Sequence, residues 1–270
     1  MHDASPVADA APILADFHRD GFALVRGAIA PATVARLRQL GEAVFADPAA
    51  LAAARHGVPF VAARLYEAHP EFAAFSASEP IYGLMDALLG AGFQACGMNL
   101  IRNPPGMAID RFHVDDTVEV PLPPEIAQHD PRVTMPVTWL TVQIPLSDIE
   151  TVAHGPTEFV PGSHRSGRAP DDAREPRFAG RGPVPVLCRA GDLYLQNNQC
   201  WHRGAPNTSD RTRCLLQVQY ARRWCAARFH PPLRAAARER VLARGDDRQR
   251  QVLGEVDVYD VPVRGSAYGA

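Results

Sequence analysis

Two short segments, Phe112-His113-Val114-Asp115 and Trp201-His202-Arg203-Gly204, carry the residues best suited to chemistry, and their histidines stand 89 positions apart. Two imidazoles and one carboxylate, with coordination positions left over, form the facial set that holds a non-haem Fe(II) ion. Arg213 follows the second histidine by eleven positions. Its planar guanidinium suits paired hydrogen bonds to a carboxylate, as the far end of a dicarboxylate co-substrate would require. A chain with this set reads as an oxygen-activating enzyme.

A His-x-Asp triplet alone is a weak motif, and the chain contains a second, His18-Arg19-Asp20. That one closes an amphipathic helical stretch ended by Gly21. Positions i and i+2 of a helix point to different sides, so the His18 triplet reads as a solvated helix end. His113 and Asp115 instead follow the turn-forming run Asn103-Pro104-Pro105-Gly106. In an extended segment i and i+2 face the same way. Both side chains can then meet one ion while Phe112 and Val114 face away.

The elements that must hold these groups are mostly strands. Val137 to Leu146 reads as a long strand, and Glu158 to His164 ends another in a Pro-Gly turn. Ala190-Gly191-Asp192 is a tight turn before Leu193-Tyr194-Leu195-Gln196, and Arg213 to Tyr220 alternates cleanly. Strands separated by turn signals point to an all-β core, for which a double-sheet jelly roll is one closed solution. Helices flank it. Residues 12–20 are helical, and Pro31 opens a helix reaching about Phe45. A third begins at Ser78-Glu79-Pro80, where Ile81, Leu84, Met85, Leu88 and Leu89 form one apolar stripe ended by Gly90. The 165–183 stretch has no period and reads as a mobile loop over the site or a surface insertion.

A side-chain period of two predicts what lines the interior. If Arg213 points inward, so do Leu215, Gln217 and Gln219, while Cys214, Leu216, Val218 and Tyr220 face the outer layer. Trp139, Thr141 and Gln143 share one face of their strand. The aliphatic Leu140, Val142 and Ile144 share the other, under the helices. Thr117 to Ile126 leaves the Asp115 segment with three prolines and reads as a semi-rigid lid with apolar walls. His164 reads as a turn-stabilising histidine, His129 and His154 as surface residues, and Cys200 as a small buried hydrophobe.

This arrangement resembles the phytanoyl-CoA dioxygenase family of Fe(II)/2-oxoglutarate oxygenases. The motifs are His113-Val114-Asp115, Pro161-Gly162-Ser163-His164, Gly191-Asp192, Trp201-His202, Pro206-Asn207-Thr208-Ser209 and Arg213, with Asp20-Gly21-Phe22 near the start. The resemblance runs from about Phe17 to Gly254. It implies a double-stranded β-helix (jelly-roll, cupin-like) core with flanking α-helices. It also implies iron on His113, Asp115 and His202, and Arg213 on the distal carboxylate of 2-oxoglutarate, with O2 as the other co-substrate. Thr141, Gln143 and Asn99 are assigned to the co-substrate pocket, and Thr117, Val118, Gln217 and Gln219 to the substrate side. Family members often carry a Lys before the Pro-Pro-Gly run and a small hydroxyl residue two after the second histidine. Here Arg102-Asn103 and Gly204 stand there. Related halogenases carry Gly or Ala where Asp115 stands, so the resemblance is to an oxygenase of the hydroxylase type. A non-catalytic jelly-roll binding module would be favoured by loss of a ligand, and none is lost.

With 270 residues and no linker, repeat or composition break, one domain is expected. It would comprise a helical part at about 12–90, a core at about 92–225 and a helical extension at about 231–254. All 28 basic residues are Arg, and the formal net charge is −2. This balance gives no electrostatic reason to expect nucleic acid or an anionic membrane as partner. The Arg-rich stretch from Leu233 to Arg240 reads as a helix face. No apolar run approaches the length of a membrane span. The N-terminus lacks the positive region of a secretory signal. Five cysteines without CxxC spacing form neither a disulfide framework nor a zinc knuckle. The expectation is a cytoplasmic enzyme acting on a small molecule, with the substrate itself left open.

Overall fold

The computed structural model describes residues 9–54, 58, 60–226 and 233–255. Two antiparallel sheets face each other as a jelly roll. The strands are β1 (Phe22–Val25), β2 (Val61–Ala63), β3 (Gln94–Asn103), β4 (Ile109–His113), β5 (Trp139–Pro145), β6 (Thr157–Phe159), β7 (Val184–Pro185), β8 (Leu193–Asn197), β9 (His202–Gly204) and β10 (Arg213–Ala221). The larger sheet has the order β1-β8-β5-β10-β3-β2, and the smaller β4-β9-β6-β7. The crossovers between non-consecutive neighbours bring residues far apart in sequence onto one interior.

Helices cover the outer face of the larger sheet. They are α1 (Ala11–Asp20), α2 (Pro31–Ala46), α3 (Pro48–Ala53), α4 (Leu65–Ala68), α5 (Pro70–Ser76), α6 (Ile81–Leu89), α7 (Arg223–Ala226), α8 (Ala235–Leu242) and α9 (Asp247–Val252). Gly21 ends α1 at φ 86°, its amide donating to the Phe17 carbonyl, a backbone state that glycine enters without a Cβ penalty. Proline occupies the first turn of α2, where its missing N–H is no loss. The apolar stripe of α6 is buried throughout. It joins Leu140, Val142, Ile144, Leu216, Val218 and Tyr220 in the main core. The outward faces of β5 and β10 are thus the aliphatic ones that the alternation predicts, and the polar faces look inward.

Some local readings need correction. β5 is shorter than the 137–146 run that contains it, and β6 begins one residue before Glu158 and already ends at Phe159. After β6 the chain turns at Gly162, φ 83°, into one 3-10 turn, Ser163–Arg165. The short helices α3, α4 and α5 carry no long apolar stripe and leave no periodic signal. The His18 triplet does not end in solvent: Asp20 is buried, with its carboxylate paired to Arg19 and Arg181. The 165–183 stretch is largely irregular yet anchored. Ala173 accepts from the Phe112 amide, and the Phe178 ring meets Trp201 edge-on at 5.8 Å. It is a packed surface insertion. Among the described residues, no helix is long and apolar enough to cross a membrane.

Candidate metal centre

The site begins where β4 and β9 pair, with His113 opposite His202 in register. β4 ends at His113, and the chain then turns, Asp116 taking φ 59°. The Asp115 amide donates to the Asn198 carbonyl at 2.9 Å, which swings its carboxylate back over the two rings. One ligand atom from each of His113, Asp115 and His202 lies within 4.8 Å of the others. Asp115 Oδ1 is 3.6 Å from Nε2 of both histidines. Ligands at right angles around one ion, each about 2.1 Å away, stand roughly 3.0 Å apart, so the two Asp115–histidine distances of 3.6 Å would shorten on binding.

The protons are placed to suit an ion. His113 Nδ1 donates to the Arg111 carbonyl and His202 Nδ1 to the Cys200 carbonyl, each at 2.9 Å. A carbonyl can only accept, so both Nδ1 atoms carry a hydrogen and both Nε2 atoms face the centre, where loss of any proton makes them ligands. Burial alone would raise the Asp115 carboxyl, but the adjacent His202 and His113 outweigh it and hold the group well below the usual carboxylate range. Burial would lower His113, while hydrogen bonding to Asp115 carries its net shift upward. The donor set of two neutral nitrogens and one carboxylate oxygen fits Fe(II) and leaves positions free.

Arg213 opens β10 and is 5% exposed. Its approach is fixed by Asn207, whose Nδ2 donates to the Asn103 and Arg211 carbonyls. Arg213 Nη1 donates to the Gly155 carbonyl, while Nε is buried without a partner. Burial lowers its basicity, and no carboxylate among the described residues offsets the charge. A buried guanidinium in this state is strongly unfavourable, and the orphaned Nε fits an anionic ligand entering the same cavity.

That cavity, about 200 Å³, joins the His-Asp-His group to Arg213. Larger hollows lie on the surface, but none of them reaches the triad. Asn99, Thr141, Gln143, Gln217 and Gln219 all line the cavity, with Val61, Ile101 and Leu215 as apolar wall. Gln217 stands opposite Asn99 on one side and Gln143 on the other, which makes a cross-strand row of amides.

Thr117 and Val118 are a correction. Thr117 is exposed, its carbonyl accepting from Gln199 Nε2. Val118 lines a separate small hollow with His129 and His164. The turn at Asp116 carries the chain away from the cavity, so adjacency in sequence to Asp115 is not adjacency in space. His164 stays with the α1 end, its Nε2 donating to the His18 carbonyl at 3.2 Å. His129 and His154 are partly exposed at the surface, held by backbone contacts to Val120 and Glu150. Cys200 is fully buried in an apolar cluster.

Two sequence departures also find their place. Arg102 points outward to Glu42 at 3.1 Å, so it does not replace the cavity lysine common in the family. At Gly204 a Cβ would sit 3.6 Å from Ile109 Cβ and 3.8 Å from Arg213 Nη2, so glycine there offers Arg213 no side chain. Gln196, which was not singled out from sequence, touches both Asp115 and His202. Its signal was present in the alternation of β8, where Leu193 and Leu195 face the core and Gln196 must face the interior.

The chain is similar to several solved structures. It superposes on the non-heme alpha ketoglutarate dependent carbocyclase SnoK from nogalamycin biosynthesis with a TM-score of 0.60 and 22% identity, covering 81% of this chain and 87% of that one. HygX from Streptomyces hygroscopicus, with nickel and 2-oxoglutarate bound, gives 0.61 and 17%, over 82% and 89%. EctD from S. alaskensis, with 2-oxoglutarate and 5-hydroxyectoine, gives 0.63 and 21%, over 82% and 80%. An uncharacterized protein of Mycobacterium tuberculosis is 37% identical over 68 residues, 25% of this chain and only 23% of its own length. The family model for phytanoyl-CoA dioxygenase matches residues 17–214, and the chain belongs to that family of iron- and 2-oxoglutarate-dependent oxygenases.

Proposed function

We propose that the protein is an Fe(II)/2-oxoglutarate-dependent dioxygenase that hydroxylates an unactivated C–H bond of a small-molecule metabolite, releasing succinate and CO2. The observation that carries this reading is the convergence of three ligand atoms within 4.8 Å on a cavity that also holds the buried Arg213 guanidinium, whose Nε has no partner among the described residues. His113, Asp115 and His202 would hold the iron, and Arg213 the distal carboxylate of 2-oxoglutarate. When bound, iron and 2-oxoglutarate supply the activation of O2 and the oxidising power. The chain's own residues bind, orient and exclude water. Asn99, Thr141 and Gln143 flank the co-substrate, and Gln217 and Gln219 present amides to the substrate.

Asp115 keeps the carboxylate ligand, which favours oxygenation over halogenation; substrate position chooses among hydroxylation, desaturation, epoxidation and ring formation. SnoK is a carbocyclase by its name, so one scaffold serves more than one outcome. Membership of nogalamycin biosynthesis by SnoK supports a role in natural-product tailoring. A cytoplasmic location accords with five free cysteines.

The test is anaerobic titration with ferrous iron and 2-oxoglutarate. The expected results are a weak visible charge-transfer band and, once O2 is admitted, formation of succinate. Asp115→Ala should weaken both. A parent without the band, or a variant that matches the parent, overturns the reading.

A further inference from the structure

We infer that Gln196 is a positioning residue for the metal site: its side-chain amide holds the outer oxygen of Asp115, so that the carboxylate offers a single oxygen to an ion. The inference rests on reading His113, Asp115 and His202 as metal ligands. Gln196 is 2% exposed, and its Nε2 donates to Asp115 Oδ2 at 3.0 Å. The other oxygen, Oδ1, faces both histidine Nε2 atoms at 3.6 Å. The two oxygens of one carboxylate are thus assigned different work.

The orientation of the Gln196 amide is itself fixed. Gln143, also 2% exposed, donates from Nε2 to Gln196 Oε1 at 2.7 Å. With its oxygen so engaged, Gln196 can present only N–H groups to Asp115. Its Nε2 also lies 3.0 Å from His202 Nε2, the lone pair that an ion would take. Of these two contacts, only the one to Oδ2 is compatible with an ion on His202. A carboxylate free to rotate could chelate through both oxygens, as carboxylates do on accommodating ions, and would fill a position that the facial arrangement leaves open. The relay from Gln143 through Gln196 to Oδ2 opposes that rotation.

Cobalt(II) is the probe, because its visible d–d bands weaken as coordination number rises. Parent, Gln196→Met and Gln143→Met are titrated with Co(II) alone, without 2-oxoglutarate. Gln196→Met should bind Co(II) about 10- to 100-fold more weakly, with weaker d–d bands. Gln143→Met should lose less, since Gln196 keeps its donor but not its fixed orientation. A folded Gln196→Met with the parent's affinity and spectrum overturns the inference. If that variant does not fold, Gln143→Met decides, because without co-substrate Gln143 reaches the ion only through Gln196; parental behaviour there also overturns it. A parent that fails to bind Co(II), or a His113→Ala variant that binds it equally well, overturns the underlying metal reading instead.

Discussion

A guanidinium buried at 5% exposure with no described carboxylate beside it is costly for a fold, and Arg213 lines the cavity of the His-Asp-His group. Hydrogen bonds to charged groups contribute about 1.5–3 kcal/mol each. Arg213→Ala should therefore raise the 2-oxoglutarate requirement about 10- to 100-fold while leaving the Fe(II) requirement nearly unchanged. Steady-state rates with each varied in turn would check this, and equal effects on both would remove Arg213 from its role. At this scale the triad and Arg213 were legible, because few residue types can bind iron or a carboxylate. Gln196 was harder to single out, since a glutamine on a strand has many bland uses. Thr117 and Val118 were misplaced because one residue, Asp116 at φ 59°, redirects the chain after the ligand.

Along an element, the alternation of β10 divides stability from chemistry. Leu216 is fully buried against the helices, whereas Gln217, one residue on, lines the cavity. Leu216→Ala removes core volume and should cost about 2–5 kcal/mol. Gln217→Ala fills no core site and should stay within about 0.5 kcal/mol, yet should change turnover of any substrate that uses the amide row. Urea unfolding of the two variants tests the contrast; similar losses would mean that β10 is not two-faced in this way. The β5, β8 and β10 strands were readable because one face is aliphatic and the other carries polar groups. The β3 strand gave no such signal. Gly97 interrupts it and faces Gln219 across the strands, a pairing invisible along the chain. The α3 to α5 helices were missed because packing, rather than a periodic stripe, holds elements this short.

For the molecule as a whole, the joint between α1 and the jelly roll should make stability depend on pH. His164 Nε2 donates to the His18 carbonyl, so Nδ1 is the basic nitrogen, and it is buried without a partner. Burial, with Arg165 close by, pushes His164 down to about 4 from an ordinary 6.5. The unfolded chain therefore takes up a proton near pH 6.5 that the folded chain refuses until about pH 4. The contribution of His164 is complete above 6.5, falls away as pH drops toward 4, and is level below. Over the roughly 1.5 units from 6.5 down to pH 5, at about 1.36 kcal/mol per unit, the parent should lose about 2 kcal/mol through this group. His18 is also held below its ordinary value, by burial and then Arg165, and the Asp20 carboxylate pairs with Arg19 and Arg181 at the same joint. Both groups remain in His164→Gln, so the difference between parent and variant isolates His164. Urea unfolding at pH 7 and pH 5 should show the parent losing about 2 kcal/mol more than the variant between the two; equal losses would mean that His164 accepts its proton as readily in the folded chain as in the unfolded one.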